Sequence, residues 1–204
     1  MNSVNSPIVN LSEISLVRRA TAGERDARRE LFERHRDAAY HVALRITGRE
    51  ADALDVVQDS FIRAFERLGE FRHGARFQTW LLRIVTNRAL DLLRARKVRL
   101  AIPLDGGDDD PEPALAGAPE ALRPGRAIED RELADRLQRA VDSLPSEQRA
   151  VFALHAVGEM TYGQIAEIVG VPIGTVMSRL YHARRRLRKL LDDLAPKRKT
   201  DEQR

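Results

Sequence analysis

Residues 161–187 read TYGQIAEIVGVPIGTVMSRLYHARRRL. A short helix is predicted first, with Ile165, Ala166 and Val169 facing inward; Gly170 then interrupts, and a second helix begins near Gly174. Two helices that cross steeply need a short, glycine-bearing turn, and that is what separates them. In the second helix Val176, Leu180, Ala183 and Leu187 recur at four, three and four, so this stripe packs inward. Thr175, Met177, Ser178, Tyr181 and His182 then point outward. The stretch is a helix-turn-helix, and it sets the second half of the chain as helical.

The outward face is electrically one-sided. From 172 to 191 there are six basic residues, Arg179, Arg184, Arg185, Arg186, Arg188 and Lys189, and no acid. Cations on such a face displace counterions from phosphates, so the pattern fits a nucleic-acid backbone. The first half of the helix offers small and polar groups for base edges, and the second half offers charges for the backbone.

Upstream, Ile128, Leu133, Leu137, Ala140, Val141 and Leu144 outline another helix, ended by Pro145, which is expected to open the next helix at its first position. That helix runs over about 146–157 through Val151, Phe152 and Leu154. Before it, residues 97–126 lack helical periodicity: IPLDGGDDDPEPALAGAPEALRPG is linker composition. As a flexible coil this linker spans about 30 Å, and about 100 Å fully extended. Its Asp105, Asp108, Asp109, Asp110 and Glu112 make it acidic, a solubilising spacer on composition alone.

The first block is also helical. A helix of about 24–47 carries Leu31, Phe32, Ala39, Val42, Ala43 and Ile46, with Gly48 suited to its C-terminal cap. The next, about 50–69, is expected to bury Leu54, Val57, Phe61, Ala64, Phe65 and Leu68; a third, about 77–96, Phe77, Leu81, Val85, Ala89 and Leu92. The reading is an all-α chain of two small helical domains joined by a flexible acidic linker. Its divisions are a tail 1–23, a first domain 24–96, the linker 97–126, a second domain 127–194 and a tail 195–204.

Composition limits the chemistry. The 204 residues contain no cysteine, which excludes disulfides, thiolate metal sites and a cysteine nucleophile. No leader-like start or long apolar run occurs, so a cytoplasmic protein without membrane insertion is expected. The five histidines are scattered and no glycine-rich phosphate loop is present, so no enzyme, cofactor, metal or small-molecule substrate is expected. Of 35 basic residues 31 are arginines, the side chain suited to phosphate forks and base edges.

The net charge of +4 hides opposed surfaces. In the second helix Glu50, Asp52, Asp55, Asp59, Glu66 and Glu70 stand against only Arg63 and Arg67, a face that phosphate would repel. The third helix carries Arg76, Trp80, Arg83, Asn87, Asp91 and Arg94 on one face, placing the chain's only tryptophan beside arginines. Single-stranded nucleic acid uses that combination, bases stacking on rings while the backbone follows the charge; a wedge at the edge of the core reads equally well for Trp80.

At this point DALDVVQDSFIRAFERLGEF, FQTWLLRIVTNRALDLLRARK and LPSEQRAVFALHAVGEMTYGQIAEIVGVPIGTVMSRLYHARRRL together resemble regions two and four of the extracytoplasmic-function (group four) sigma factors of bacterial RNA polymerase. The resemblance implies a non-catalytic initiation factor that binds core polymerase, directs it to promoter DNA and promotes melting. It places Asp55, Gln58, Asp59 and Phe61 on the helix that docks on polymerase. It places Phe71, Arg72, His73, Gly74 and Arg76 in the segment that captures a flipped base of the minus-ten element, and Thr79, Trp80, Arg83, Asn87 and Arg88 along the melted junction. His155, Pro172, Gly174, Thr175, Met177, Ser178, Tyr181, His182, Arg184 and Arg185 would contact the minus-thirty-five element. It further implies an anti-sigma factor as partner, and a linker that occupies the nascent RNA path.

Two positions depart from the family: Met177 stands where a lysine or arginine is usual, and His182 where an arginine is common. Methionine offers only apolar contact, for example with a thymine methyl. An autonomous helix-turn-helix regulator would account for 161–187 but leaves both faces of the first block without a purpose.

Overall fold

The computed structural model describes residues 11–71, 76–101 and 136–194, and among them every regular element is a helix. The helices are α1 (Leu11–Thr21), α2 (Arg25–Thr47), α3 (Glu50–Glu66), a 3-10 turn (Leu68–Glu70) and α4 (Phe77–Ala101). After them come α5, seen over 136–142, then α6 (Ser146–Ala156), α7 (Tyr162–Val169) and α8 (Ile173–Leu194). Arg72, His73, Gly74, most of the linker and the tail 195–204 lie outside the described residues.

Local chemistry explains the boundaries. Gly48 ends α2 with φ 75°, its N–H on the Leu44 carbonyl, and Gly170 ends α7 with φ 72°, its N–H on Ala166. Both need the left-handed backbone that only glycine adopts without strain. Thr161 starts α7 with a reciprocal cap: the Gln164 N–H donates to the Thr161 hydroxyl, and the Thr161 N–H donates to Gln164 Oε1 at 2.9 Å. Thr161→Ala removes one half of this cap. It is expected to cost about 1 kcal/mol, a thermal midpoint lowered by about 2–4 °C in a melt followed by circular dichroism.

Four expectations from the sequence are corrected. Residues 11–21, expected as tail, form α1, and its Leu16, Val17 and Ala20 are buried in the core. The apolar repeat of this segment is short, and only contact with α2 and the 3-10 turn makes the helix worthwhile. Pro145 precedes α6 instead of opening it, with ψ 140° and its carbonyl accepting the Arg149 N–H. Helix α4 continues to Ala101, past the expected start of the linker. Leu54, expected in the core, is 54% exposed. The buried stripe of α3 runs through the small residues Ala53, Ser60 and Ala64, where α2 and α4 approach closely, and this turns Leu54 outward.

The two halves do not stand apart. Helix α2 packs against α6, and α4 against α6 and α7. One hydrophobic core runs from Leu16 through Leu90 to Ala150, Leu154, Met160, Ile165, Ile168, Val176 and Leu180. A smaller cluster of Ala140, Val141, Leu144, Ala183 and Leu187 seals α5 against α8. At the rim Arg45 Nη1 donates to Gln138 Oε1 at 2.6 Å, and Gln138 Nε2 donates to Asp142 Oδ1 at 3.0 Å. Asp142 also accepts from Arg149 and lies directly over Gly48, where an added Cβ would come within 2.6 Å of its Oδ1.

Candidate polymerase and nucleic-acid interfaces

On α3, Asp55 and Gln58 are exposed as expected for a docking face. Between them and around them the structure adds two apolar groups, Leu54 and Ile62, 54% and 50% exposed. Leu54, Gln58 and Ile62 follow at intervals of four, so the surface is one strip of apolar, amide and carboxylate groups. Phe61 stands behind it: it is buried, its ring edge-on to Phe32 at 4.8 Å and tilted against Phe65 at 5.8 Å. It holds α3 in place from within.

Asp59 is committed elsewhere. Its Oδ2 accepts from Arg88 Nε at 2.9 Å and Nη2 at 2.7 Å, joining a residue expected at polymerase to one expected at DNA. Arg96 reaches Asp52 at 3.5 Å in the same sense, so a seam of ion pairs runs between α3 and α4 where the acidic and basic faces meet. Both pairs are partly solvated and worth at most about 1 kcal/mol each; they orient Arg88 and Arg96 more than they stabilise the fold.

On α4, Arg83 and Asn87 are exposed, Trp80 is half-buried and Thr79 is buried; Arg76, just before the helix, is half-buried. Trp80 belongs to an aromatic cluster, 5.5 Å from Phe71 and 5.8 Å from Phe77, with Phe71 and Phe77 6.0 Å apart. Trp80 thus braces the core edge while staying half exposed, one and two helical turns from the exposed Arg83 and Asn87.

On α8 the predicted stripe is buried as read, Val176, Leu180, Ala183 and Leu187 all being covered. Met177, Tyr181, Arg184 and Arg185 line one groove of about 540 Å³ together with Leu180, Tyr162 and Arg188. Arg188 was legible as a further turn of the same helix face, whereas Tyr162 comes from α7 and carried no sequence signal. Pro172, Gly174, Ser178 and His182 are exposed and Thr175 is half-buried at the start of the helix. His155 is half-buried with its ring 5.3 Å from Tyr162, and therefore wedges α6 against α7 behind the groove. Arg179 pairs with Glu147 of α6, which leaves five of the six cations facing solvent. No described helix is long and apolar enough to cross a membrane.

Comparison with known proteins identifies the family. Residues 31–99 match the family Sigma-70 region 2, and residues 134–187 match Sigma-70, region 4. The chain is 30% identical over 179 residues to the ECF RNA polymerase sigma factor SigW of Bacillus subtilis (strain 168), covering 87% of this chain and 96% of that one. It is 36% identical over 181 residues to SigM of Mycobacterium tuberculosis (strain ATCC 25618 / H37Rv), covering 88% and 85%. Among solved structures it is similar to CnrH in complex with the cytosolic domain of CnrY, with TM-score 0.64 and 27% identity over 89% of this chain and 98% of that one. The sigma factor RpoE from Bartonella quintana, solved with the anti-sigma factor NepR, shares the fold at TM-score 0.65 and 24% identity over 80% and 96%. With both regions present in order and one relative matched almost end to end, the chain belongs to the extracytoplasmic-function RNA polymerase sigma factors of the sigma-70 family.

Proposed function

We propose that this chain binds core RNA polymerase through the exposed strip of α3, recognises the minus-thirty-five element through α8, and opens the minus-ten element along α4. The observation that carries this is the opposition of two surfaces on one small helical unit: Leu54, Asp55, Gln58 and Ile62 on α3 suit a protein, whereas Arg83 and Asn87 beside Trp80 on α4 suit single-stranded nucleic acid. Bond-making chemistry then belongs to the polymerase, and the chain acts in the cytoplasm with it. Transcription in vitro with core polymerase, with and without the chain, tests the reading. Promoter-dependent run-off product is expected only with it. Sequence-specific duplex binding by the chain alone, without stimulated transcription, would instead favour an autonomous regulator.

The α3 strip makes its own prediction. Leu54→Ala and Ile62→Ala each remove an apolar group already half in water, so the fold should keep its melting midpoint. Burying that area on polymerase is worth about 1 kcal/mol, so each variant is expected to weaken polymerase affinity about fivefold in a fluorescence titration. Unchanged affinity in both would move the docking surface off α3.

Promoter engagement requires the halves to part. Elements about 25 base pairs apart lie about 85 Å apart on B-form duplex. A globule of this chain length is about 45 Å across. The docked arrangement cannot touch both elements, and the linker, about 100 Å when extended, permits the separation. CnrH was solved with the cytosolic domain of CnrY. By likeness, a protein partner of the anti-sigma kind would hold this chain away from polymerase.

A further inference from the structure

Helix α1 precedes both family-matched segments, yet its first turn connects through His35 to the aromatic cluster beside the proposed minus-ten surface. Glu13 Oε1 stands 3.3 Å from His35 Nε2 on α2, with the two side chains 19% and 11% exposed. The His35 ring packs on Phe77 at 5.1 Å, and Phe77 in turn packs on Phe71 and Trp80. Three cationic or titratable groups act on Glu13: His35 and Arg34 from α2, and Arg76 from the residue before α4.

The His35 contact holds the Glu13 carboxyl below its ordinary range, against the opposite pull of burial, and Arg34 and Arg76 add to the lowering. Folding thus lowers this pKa, so the carboxylate's contribution is present above the ordinary carboxylate range and is lost as pH falls through the folded value. A mostly buried pair of this kind contributes little net stability, because desolvation offsets the attraction. Its geometry matters more. The Phe71–Trp80 pair borders the proposed base-capture surface, and Glu13 connects to it through His35 and Phe77.

Resting on that reading of the surface, we propose that Glu13 and His35 are positioning residues for base capture, presetting the Phe71–Trp80 stack through Phe77 before the single strand arrives. A side chain ordered only on binding weakens affinity by roughly two- to tenfold, and that loss is avoided when packing already holds it. Removing the carboxylate also removes a charge that repels phosphate, so sequence-independent affinity should stay level or rise. The two effects have opposite signs, and this separates positioning from general loosening.

The test uses holoenzyme assembled from core polymerase and the full chain. One probe is a single-stranded oligonucleotide copying the minus-ten segment of a promoter the holoenzyme transcribes; the other is that strand with an abasic site where its loss weakens wild-type binding most. Glu13→Gln keeps the shape and removes the charge; His35→Phe keeps the ring on Phe77 and removes the nitrogen. Each is expected to lower the intact-to-abasic affinity ratio about fivefold, while polymerase affinity stays within about twofold and the melting midpoint within about 2 °C. An unchanged ratio in both variants overturns the proposal, as does a polymerase affinity that falls with the ratio. Trp80→Ala provides the separating control. If it too keeps the ratio, the reading of the surface fails and this proposal with it; if it loses the ratio while Glu13→Gln and His35→Phe keep it, only this proposal fails.

Discussion

Oxidised Gly48→Cys/Asp142→Cys protein is expected to lose promoter-dependent transcription at least tenfold and to regain it on reduction. A Cβ built on Gly48 lies 3.1 Å from Asp142 Cγ. Across a disulfide the Cβ of one cysteine sits about 3 Å from the sulfur of the other, so a sulfur in the place of that Cγ is positioned to bridge. The chain has no cysteine of its own, and no native thiol competes. The left-handed φ of 75° at position 48 costs a cysteine about 1–2 kcal/mol, less than the roughly 2–4 kcal/mol a disulfide contributes. The bridge fastens α2 to α5 and thereby keeps the first half on the second. A locked chain spans about half the distance between the two promoter elements, so the defect should be reversible by reductant and absent from either single variant. Full activity of the oxidised protein, with the bridge verified by mass spectrometry, would show that the docked arrangement is competent for transcription.

The second large effect is expected at the melted junction. Flipping a base out of a duplex costs a few kcal/mol, which the factor must offset by binding the freed base. Stacking on an aromatic ring supplies about 1–3 kcal/mol per base, so Trp80→Ala is expected to slow open-complex formation about 5- to 150-fold with a fluorescent probe in the minus-ten segment. Because Trp80 also packs on Phe71 and Phe77, Trp80→Phe serves as control and should keep most of the folding stability. Asn87→Ala is the cleaner variant, since Asn87 is exposed on α4 and its loss leaves no cavity. Both should dock on polymerase normally. Normal opening by both would remove the role assigned to this face.

Several parts of the site were legible because they depend on one helix alone. The inward stripe Val176, Leu180, Ala183 and Leu187 and the outward Met177, Tyr181, Arg184 and Arg185 follow from 3.6-residue periodicity, and the structure keeps both sets together. Leu54 was misread because periodicity gives a stripe without its exact centre; only the close approach of α2 and α4 at Ala53, Ser60 and Ala64 chose which edge faces water. Phe61, expected in the core by its period and placed on the docking helix by the resemblance, is buried against Phe32 and Phe65, behind the exposed strip. The Asp59–Arg88 pair joins side chains from two helices, and no local pattern announces such a partner.

By itself the sequence determined the helical class, the helix-turn-helix, the separation of acidic and basic faces and the order of the two sigma regions, since each rests on spacing within about twenty residues. Tertiary structure alone decided that residues 11–21 belong to the folded unit, that Tyr162 completes the α8 groove, and that the two halves share a core closed by Arg45, Gln138 and Asp142. The physical reason is common to all three. Each depends on surfaces brought together from distant parts of the chain, where shape and burial select among contacts that a one-dimensional pattern leaves equivalent.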